Sequence, residues 1–254
     1  MTIESFLVTE LFTFLLIFTR ISAGFMLLPG IGEAYVSLRI RLLFSIMVAI
    51  MLMPLLGPSI PPVPTSPLAL SVLMMKEIII GLFFGLLARF LLSAMHVAGM
   101  VISYQSSLAA ATMFDVSQAG QGSTIGNFLS VTAVLLLFVT DLHHLMIQGL
   151  VDSYTLFEPG AALMIGDMAD SMTRLTSDVF NIGVKLASPI IAVALMVNLG
   201  AGVLARLMPN MQVFFVLIPA QIQIALLFLM TTLSGMYLWY LDFVEIRLTN
   251  FLGG

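Results

Sequence analysis

The chain has 254 residues, of which 60% are hydrophobic and only 9% charged, against roughly 25% charged in an average soluble domain; its mean hydropathy is +1.13. Cysteine is absent, which excludes disulfides, thiolate metal sites and cysteine nucleophiles, and a net charge of −4 argues against the basic patches with which proteins meet nucleic acid. So apolar a chain is soluble only in bilayer hydrocarbon or a lipid-like protein interior, so the class is an all-α integral membrane protein with no room for an added soluble domain.

The N-terminus, MTIESFLVTELF, carries Glu4 and Glu10 where a cleavable signal peptide opens with Lys or Arg. The first apolar segment, Phe6 to Leu28, is therefore expected to be retained. A link with Gly30, Gly32, Arg39 and Arg41 leads to Leu42–Gly57. PSIPPVPTSP, from Pro58 to Pro67, holds five prolines and reads as an extended, exposed connection, because proline removes a backbone donor and breaks helices. Leu68–Ala88 and Phe90–Gln105 adjoin at Arg89 with no turn signal between them, which leaves the count of spans at six or seven. Thr124–Thr140 comes next. Its helix is expected to continue out of the bilayer through Leu142–Phe157, where apolar residues keep near-helical spacing, until Glu158-Pro159-Gly160 turns the chain. The 141–178 stretch holds six acids against one base, Arg174. Val179–Val203 and Met211–Leu241 complete the series, and Leu207 to Leu241 contains no charge at all. Counting bases puts the Arg39/Arg41 and Arg206 links in the cytoplasm, the acidic stretch and the N-terminus outside.

Ionisable groups interrupt these segments at Arg20, Lys76, Glu77, Arg89 and Lys185. Each costs about 2.5–3.5 kcal/mol at a helix centre on insertion scales. Snorkelling near helix ends suits Arg89 and Lys185; it suits Arg20 poorly. Lys76 and Glu77 are neighbours that diverge by about 100° on a helix, so their partners must come from other helices or other subunits; a proton relay is the competing explanation. Gly81 and Gly85 form a G-x-x-x-G, and Gly200-Ala201-Gly202 and Gly126/Ser130 add further faces for close helix packing. The nineteen Met and nineteen Phe read either as flexible core and lipid-facing filler or as a surface that deforms around varied partners.

Catalytic signatures are missing. No H-E-x-x-H or G-x-S-x-G occurs. His143 and His144 are adjacent, about 100° apart on a helix and poorly placed for shared chelation, although Asp141 and His144 stand at i, i+3. Gly120-Gln121-Gly122-Ser123-Thr124-Ile125-Gly126 has its third glycine one residue late for a dinucleotide fingerprint and no preceding strand. No cofactor and no enzymatic activity are expected. Ala109–Asn127, AAATMFDVSQAGQGSTIGN, is different in kind: it lies between apolar helices yet is rich in Gln, Ser, Thr and Gly, with Asp115 its one charge. Irregular backbone at membrane depth is tolerated where protein buries it or where it lines an aqueous cavity. An ordinary interhelical loop is one reading. The other is a plug in a pore, with Met113 and Phe114 as the obstruction and Asp115, Ser117, Gln118, Gly120 and Gly122 as its mobile part.

Over nearly its full length the chain resembles the FliR/SctT family of type III secretion export-gate proteins. The matching stretches are Arg20-Ile21, Lys76-Glu77 with Gly81 and Gly85, Gln105 to Phe114, Asp141-Leu142-His143-His144 with Ser153-Tyr154 and Pro159, and VNLGAGVLARLMPNMQVFFVLIPAQI from Val197 to Ile222. Val116 departs from the residue, usually proline, that the family has after the loop aspartate. The resemblance implies a non-enzymatic subunit of the export gate in the bacterial inner membrane, at the base of the flagellum. It implies a part (residues 1–178) like the P-type gate subunit and a C-terminal hairpin (residues 179–254) like the Q-type. One copy would join several P-type and Q-type subunits, with an FlhB-type protein at the entrance, membrane lipid around it and unfolded flagellar proteins passing through. Arg20, Lys76, Glu77, Asn198, Arg206 and Asn210 would make interhelical or intersubunit polar contacts, and Gly81, Gly85, Gly200 and Gly202 would allow close packing. The injectisome homologue of the same family, and a secondary transporter of a small solute, are the alternatives.

Overall fold

The computed structural model describes residues 3–109, 123–208 and 213–252. All regular structure among them is helical: α1 (Ile3–Leu27), α2 (Leu38–Leu56), a 3-10 turn (Gly57–Ser59), α3 (Pro67–Gln105), α4 (Thr124–Val139), α5 (Leu142–Leu156), α6 (Ile165–Leu207) and α7 (Val213–Leu252). Five helices are long and apolar enough to cross a membrane, or six spans if the bent pair α4–α5 counts as one. In lipid every backbone donor and acceptor must be satisfied within the chain, and helices do this locally.

Sequence punctuation explains most boundaries. Ser37 caps α2 by accepting from the Ile40 amide, which satisfies one of the free donors of the first turn. Apart from the 3-10 turn at Gly57–Ser59, the proline-rich link is non-helical and mostly exposed, and α3 starts at Pro67, where a missing N–H costs nothing. The two segments that adjoin at Arg89 are one helix of 39 residues, about 58 Å long at 1.5 Å per residue. The 43 residues of α6 and 40 of α7 make rods of about 64 and 60 Å, twice the roughly 30 Å of hydrocarbon. Here the structure departs from the reading of 141–178 as an acidic connection between apolar segments, since α6 begins at Ile165. Asp167, Asp170, Arg174 and Asp178 fall in its first third, ahead of the apolar stretch.

A second departure lies at residues 140–141. The helix expected to run on from Thr124 through Phe157 breaks there, and α4 and α5 meet at 80°. Asp141 has φ +59, a left-handed conformation that ends a helix and that aspartate, with its short polar side chain, adopts more readily than most residues.

The chain forms two compact units, 1–91 with 137–175 and 247–254, and 92–136 with 176–246. In the first, Phe12, Leu16 and Leu73 form an apolar cluster, Phe25 stacks on Phe44 at 5.1 Å, and Phe157 meets Phe83 and Phe84 edge to face. In the second, α3 and α4 touch at glycines: a Cβ on Gly99 would strike the Gly126 backbone. Gly183 of α6 packs on Val97, whose Cγ1 would lie 2.8 Å from an added Cβ, and the Tyr237 hydroxyl donates to the Leu129 carbonyl at 3.3 Å. Large apolar side chains stay exposed along α6 and α7, among them Met196, Leu199, Val203, Leu227, Met230 and Leu238. These are surfaces for lipid or for other subunits.

Candidate functional site

Arg20 is fully buried in the first unit. A cation in that position needs an anion and further acceptors, because an unpaired buried charge is prohibitively costly. Both are present. Its Nε donates to Glu77 Oε2 at 2.6 Å, Nη1 to the Ser153 carbonyl at 2.9 Å and hydroxyl at 3.2 Å, and Nη2 to the Phe157 carbonyl at 3.0 Å. The guanidinium also lies 3.9 Å from the centroid of the Tyr154 ring, a favourable cation–π placement. Tyr154 in turn donates to the Ile17 carbonyl at 3.3 Å. Arg20 thus joins α1, α3 and the C-terminal end of α5, where carbonyls left over by the helix favour a cation. Glu77 Oε1 is buried with no hydrogen-bond partner among the described residues.

The glycines beside this pair set its geometry. Added Cβ atoms at Gly81 and Gly85 would collide with the carbonyl oxygens of Arg20 and Gly24 respectively, the latter at 2.6 Å. Only glycine lets α3 come this close to α1. Lys76 lies apart from the pair, at the rim of an open groove of about 480 Å³ that Pro61, Pro62, Pro64 and Leu73 help to line. It donates to the Ala161 carbonyl at 3.2 Å. Arg89 lies in the middle of α3 and not at a helix end; half exposed, it faces Glu33 at 4.0 Å, so snorkelling at a terminus does not describe it. Asn198, Arg206, Gly200 and Gly202 are exposed on α6, and no atom lies within 4 Å of an added Cβ at either glycine.

Residues 110–122, which include Met113, Phe114, Asp115, Ser117, Gln118, Gly120 and Gly122, lie outside the described residues, as does Asn210. α3 ends at Gln105, and Ser106 and Ser107 make a turn in which Ser107 has φ +59. Gln221 of α7, 6% exposed, donates from Nε2 to the Gln105 carbonyl at 2.7 Å and accepts from the Ser107 hydroxyl at 3.0 Å. On the far side, Ser123 Oγ lies 2.5 Å from Ser103 Oγ, donates to the Gly99 carbonyl at 3.1 Å and caps α4 by accepting from the Gly126 amide at 2.9 Å. The exit of α3 is therefore tied to α7, and Ser123 is tied to the last turns of α3. Sequence reasoning missed Gln221, although a glutamine in the uncharged stretch from Leu207 to Leu241 is itself a signal, since burying its amide is costly without partners.

The one group of potential metal ligands among the described residues is Asp141, His143 and His144, whose donor atoms lie within 4.8 Å of one another. The expected 100° divergence of the two imidazoles does not keep them apart. At the start of α5 there is no preceding turn to restrict their rotamers, and the rings meet at 4.1 Å with a 37° tilt. His143 also stacks on Phe138 at 4.6 Å, and His144 Nδ1 lies 3.6 Å from Asp141.

Comparison with known proteins bears on the whole chain. The family described as bacterial export proteins, family 1, matches residues 11–245. The chain is 35% identical over 227 residues to the flagellar biosynthetic protein FliR of Caulobacter vibrioides, covering 89% of this chain and 90% of that protein. It is 28% identical over 227 residues to FliR of Bacillus subtilis, covering 88% and 87%, and 26% identical over 200 residues to FliR of Escherichia coli, covering 78% and 75%. The match runs from α1 into α7 and takes in both units, so the chain is a member of bacterial export proteins family 1, the family of the flagellar biosynthetic protein FliR.

Proposed function

We propose that the protein is a non-enzymatic subunit of the flagellar export gate, part of the channel through which unfolded flagellar proteins leave the cell. The family match over residues 11–245 carries this reading, and the flagellar names of the relatives favour it over the injectisome homologue. Long helices with apolar faces that the chain itself does not cover suit a subunit that is completed by others. On this reading it sits in the inner membrane at the flagellar basal body. Residues 1–178 take the place of a P-type subunit, residues 179–254 form a Q-type-like hairpin, and an FlhB-type protein meets the assembly. Arg20 and Glu77 hold the subunit together from within, while Asn198, Arg206, Asn210, Gly200 and Gly202 are left for neighbours. Met113 and Phe114 close the channel, because an apolar constriction excludes water and ions.

Deletion of the gene tests the proposal. Flagellin export should stop and return with the wild-type chain, and a tagged copy should bring down smaller membrane subunits. Uptake of a small solute by liposomes containing this protein alone, with export intact in the deletion strain, would instead identify a transporter.

A further inference from the structure

Three side chains at the α4–α5 break carry donor atoms that the fold leaves uncommitted. Asp141 stands at the N-cap position of α5, yet its carboxylate makes no capping hydrogen bond, although aspartate is among the residues most favoured there for that bond. Its Oδ1 lies 3.6 Å from His144 Nδ1, beyond the range of a hydrogen bond. His143 Nδ1 is buried with no hydrogen-bond partner among the described residues, and a buried polar atom in that state calls for an explanation. The frame around these groups is fixed. The His144 amide donates to the Asp141 carbonyl at 3.0 Å, and the His143 ring is held by Phe138, stacked at 4.6 Å, and by His144 at 4.1 Å.

We propose that Asp141, His143 and His144 bind a divalent transition-metal ion of the zinc type. Two imidazoles and a carboxylate suit such an ion, whereas Mg2+ and Ca2+ take oxygen ligands. The chain has no cysteine and three histidines, and the remaining one, His96, belongs to the other compact unit. Around a tetrahedral ion with bonds of about 2.1 Å, ligand atoms stand about 3.4 Å apart. Asp141 and His144 are already near that separation. All three donors lie within 4.8 Å of one another, so no gap has to close by more than about 1.4 Å. The side chains of Asp141 and His144 are 78% and 71% exposed and can rotate that far without displacing packed neighbours. Three protein ligands leave the fourth position to water. The ion would clip Asp141, in the break, to the first turn of α5. Through His143 and its stack on Phe138 it would stiffen the 80° bend.

The test uses the full-length protein in detergent, purified without a histidine tag and stripped with a chelator. Zn2+ titrated by calorimetry should bind saturably, one ion per chain, and raise the melting temperature, because an ion that binds the folded state stabilises it. Mg2+ at the same concentration should do neither. His144→Ala, at an exposed position, and Asp141→Asn, which keeps the tolerance for the left-handed region, should fold without metal as the wild type does. Each should weaken Zn2+ binding by at least about 10-fold, the smaller of the losses that follow removal of even an outer-shell partner. His96→Gln should leave the affinity unchanged. Absence of saturable Zn2+ binding would overturn the proposal. So would binding that keeps its affinity in both His144→Ala and Asp141→Asn, or that disappears with His96→Gln, since the ion then sits elsewhere.

Discussion

Replacing Arg20 by methionine keeps most of the apolar stem and deletes the cation. Glu77 is then left buried, with Oε2 stripped of its 2.6 Å partner and Oε1 already without one among the described residues. The Phe157 carbonyl loses its Arg20 donor, whereas the Ser153 carbonyl keeps the Phe157 amide at 2.9 Å. Breaking a buried pair from one side costs about 3–5 kcal/mol, equivalent to a drop of roughly 6–10 °C in melting temperature for a chain of this size. Glu77→Leu should also destabilise, since it leaves a guanidinium that cannot give up its proton. The double variant Arg20→Met/Glu77→Leu removes both charges. What remains is chiefly one unsatisfied carbonyl at Phe157, costing about 1–3 kcal/mol. The double variant should therefore melt above the sum of its parts, with a coupling of roughly 3 kcal/mol or more, read by thermal unfolding of the detergent-solubilised protein. If the two single effects simply add, to within about 0.5 kcal/mol, the pair does not hold α1 and α3 together as argued.

Gly81→Ala and Gly85→Ala should each cost about 1–3 kcal/mol, because the added methyl meets backbone carbonyls of α1 that cannot swing aside; unchanged melting of either would contradict the close contact. Gly200→Ala and Gly202→Ala face open space within the chain, so they should leave the isolated protein as stable or more so, and reduced co-purification of smaller membrane subunits would place a neighbour on that face. Asp141→Gly should raise stability by about 1 kcal/mol by relieving the left-handed residue at the α4–α5 break, while Asp141→Val should lower it; equal melting temperatures for the two would mean the break is set elsewhere. Single cysteines at Asn198 and Arg206, in a chain that has no other, should crosslink to a smaller gate subunit, and labelling by lipid-soluble probes alone would put that face in lipid.

The helices were readable because their signals are local. Apolar runs, the proline cluster from Pro58 to Pro67 and Pro67 at the start of α3 act within a few residues of themselves. Two boundaries misled for equally local reasons. The acids of 167–178 suggested a solvated link, but an exposed helix carries such charges without cost. The apolar spacing across 124–157 suggested one helix, since spacing carries no mark of a residue that turns left-handed at position 141.

By itself, then, the sequence determined the solvent this protein lives in, the number of apolar rods to within one or two, and the fact that Arg20 and Glu77 needed partners. Hydrophobicity and desolvation are properties of single residues and short windows, and no fold is required to read them. Which partners answered was decided only in three dimensions. Glu77 lies 57 residues from Arg20 and Ser153 lies 133, and Gln221 meets a turn 114 residues before it. Hydrogen bonds are satisfied within about 3 Å, and nothing in a one-dimensional pattern says which of many polar groups three packed helices will bring within that distance.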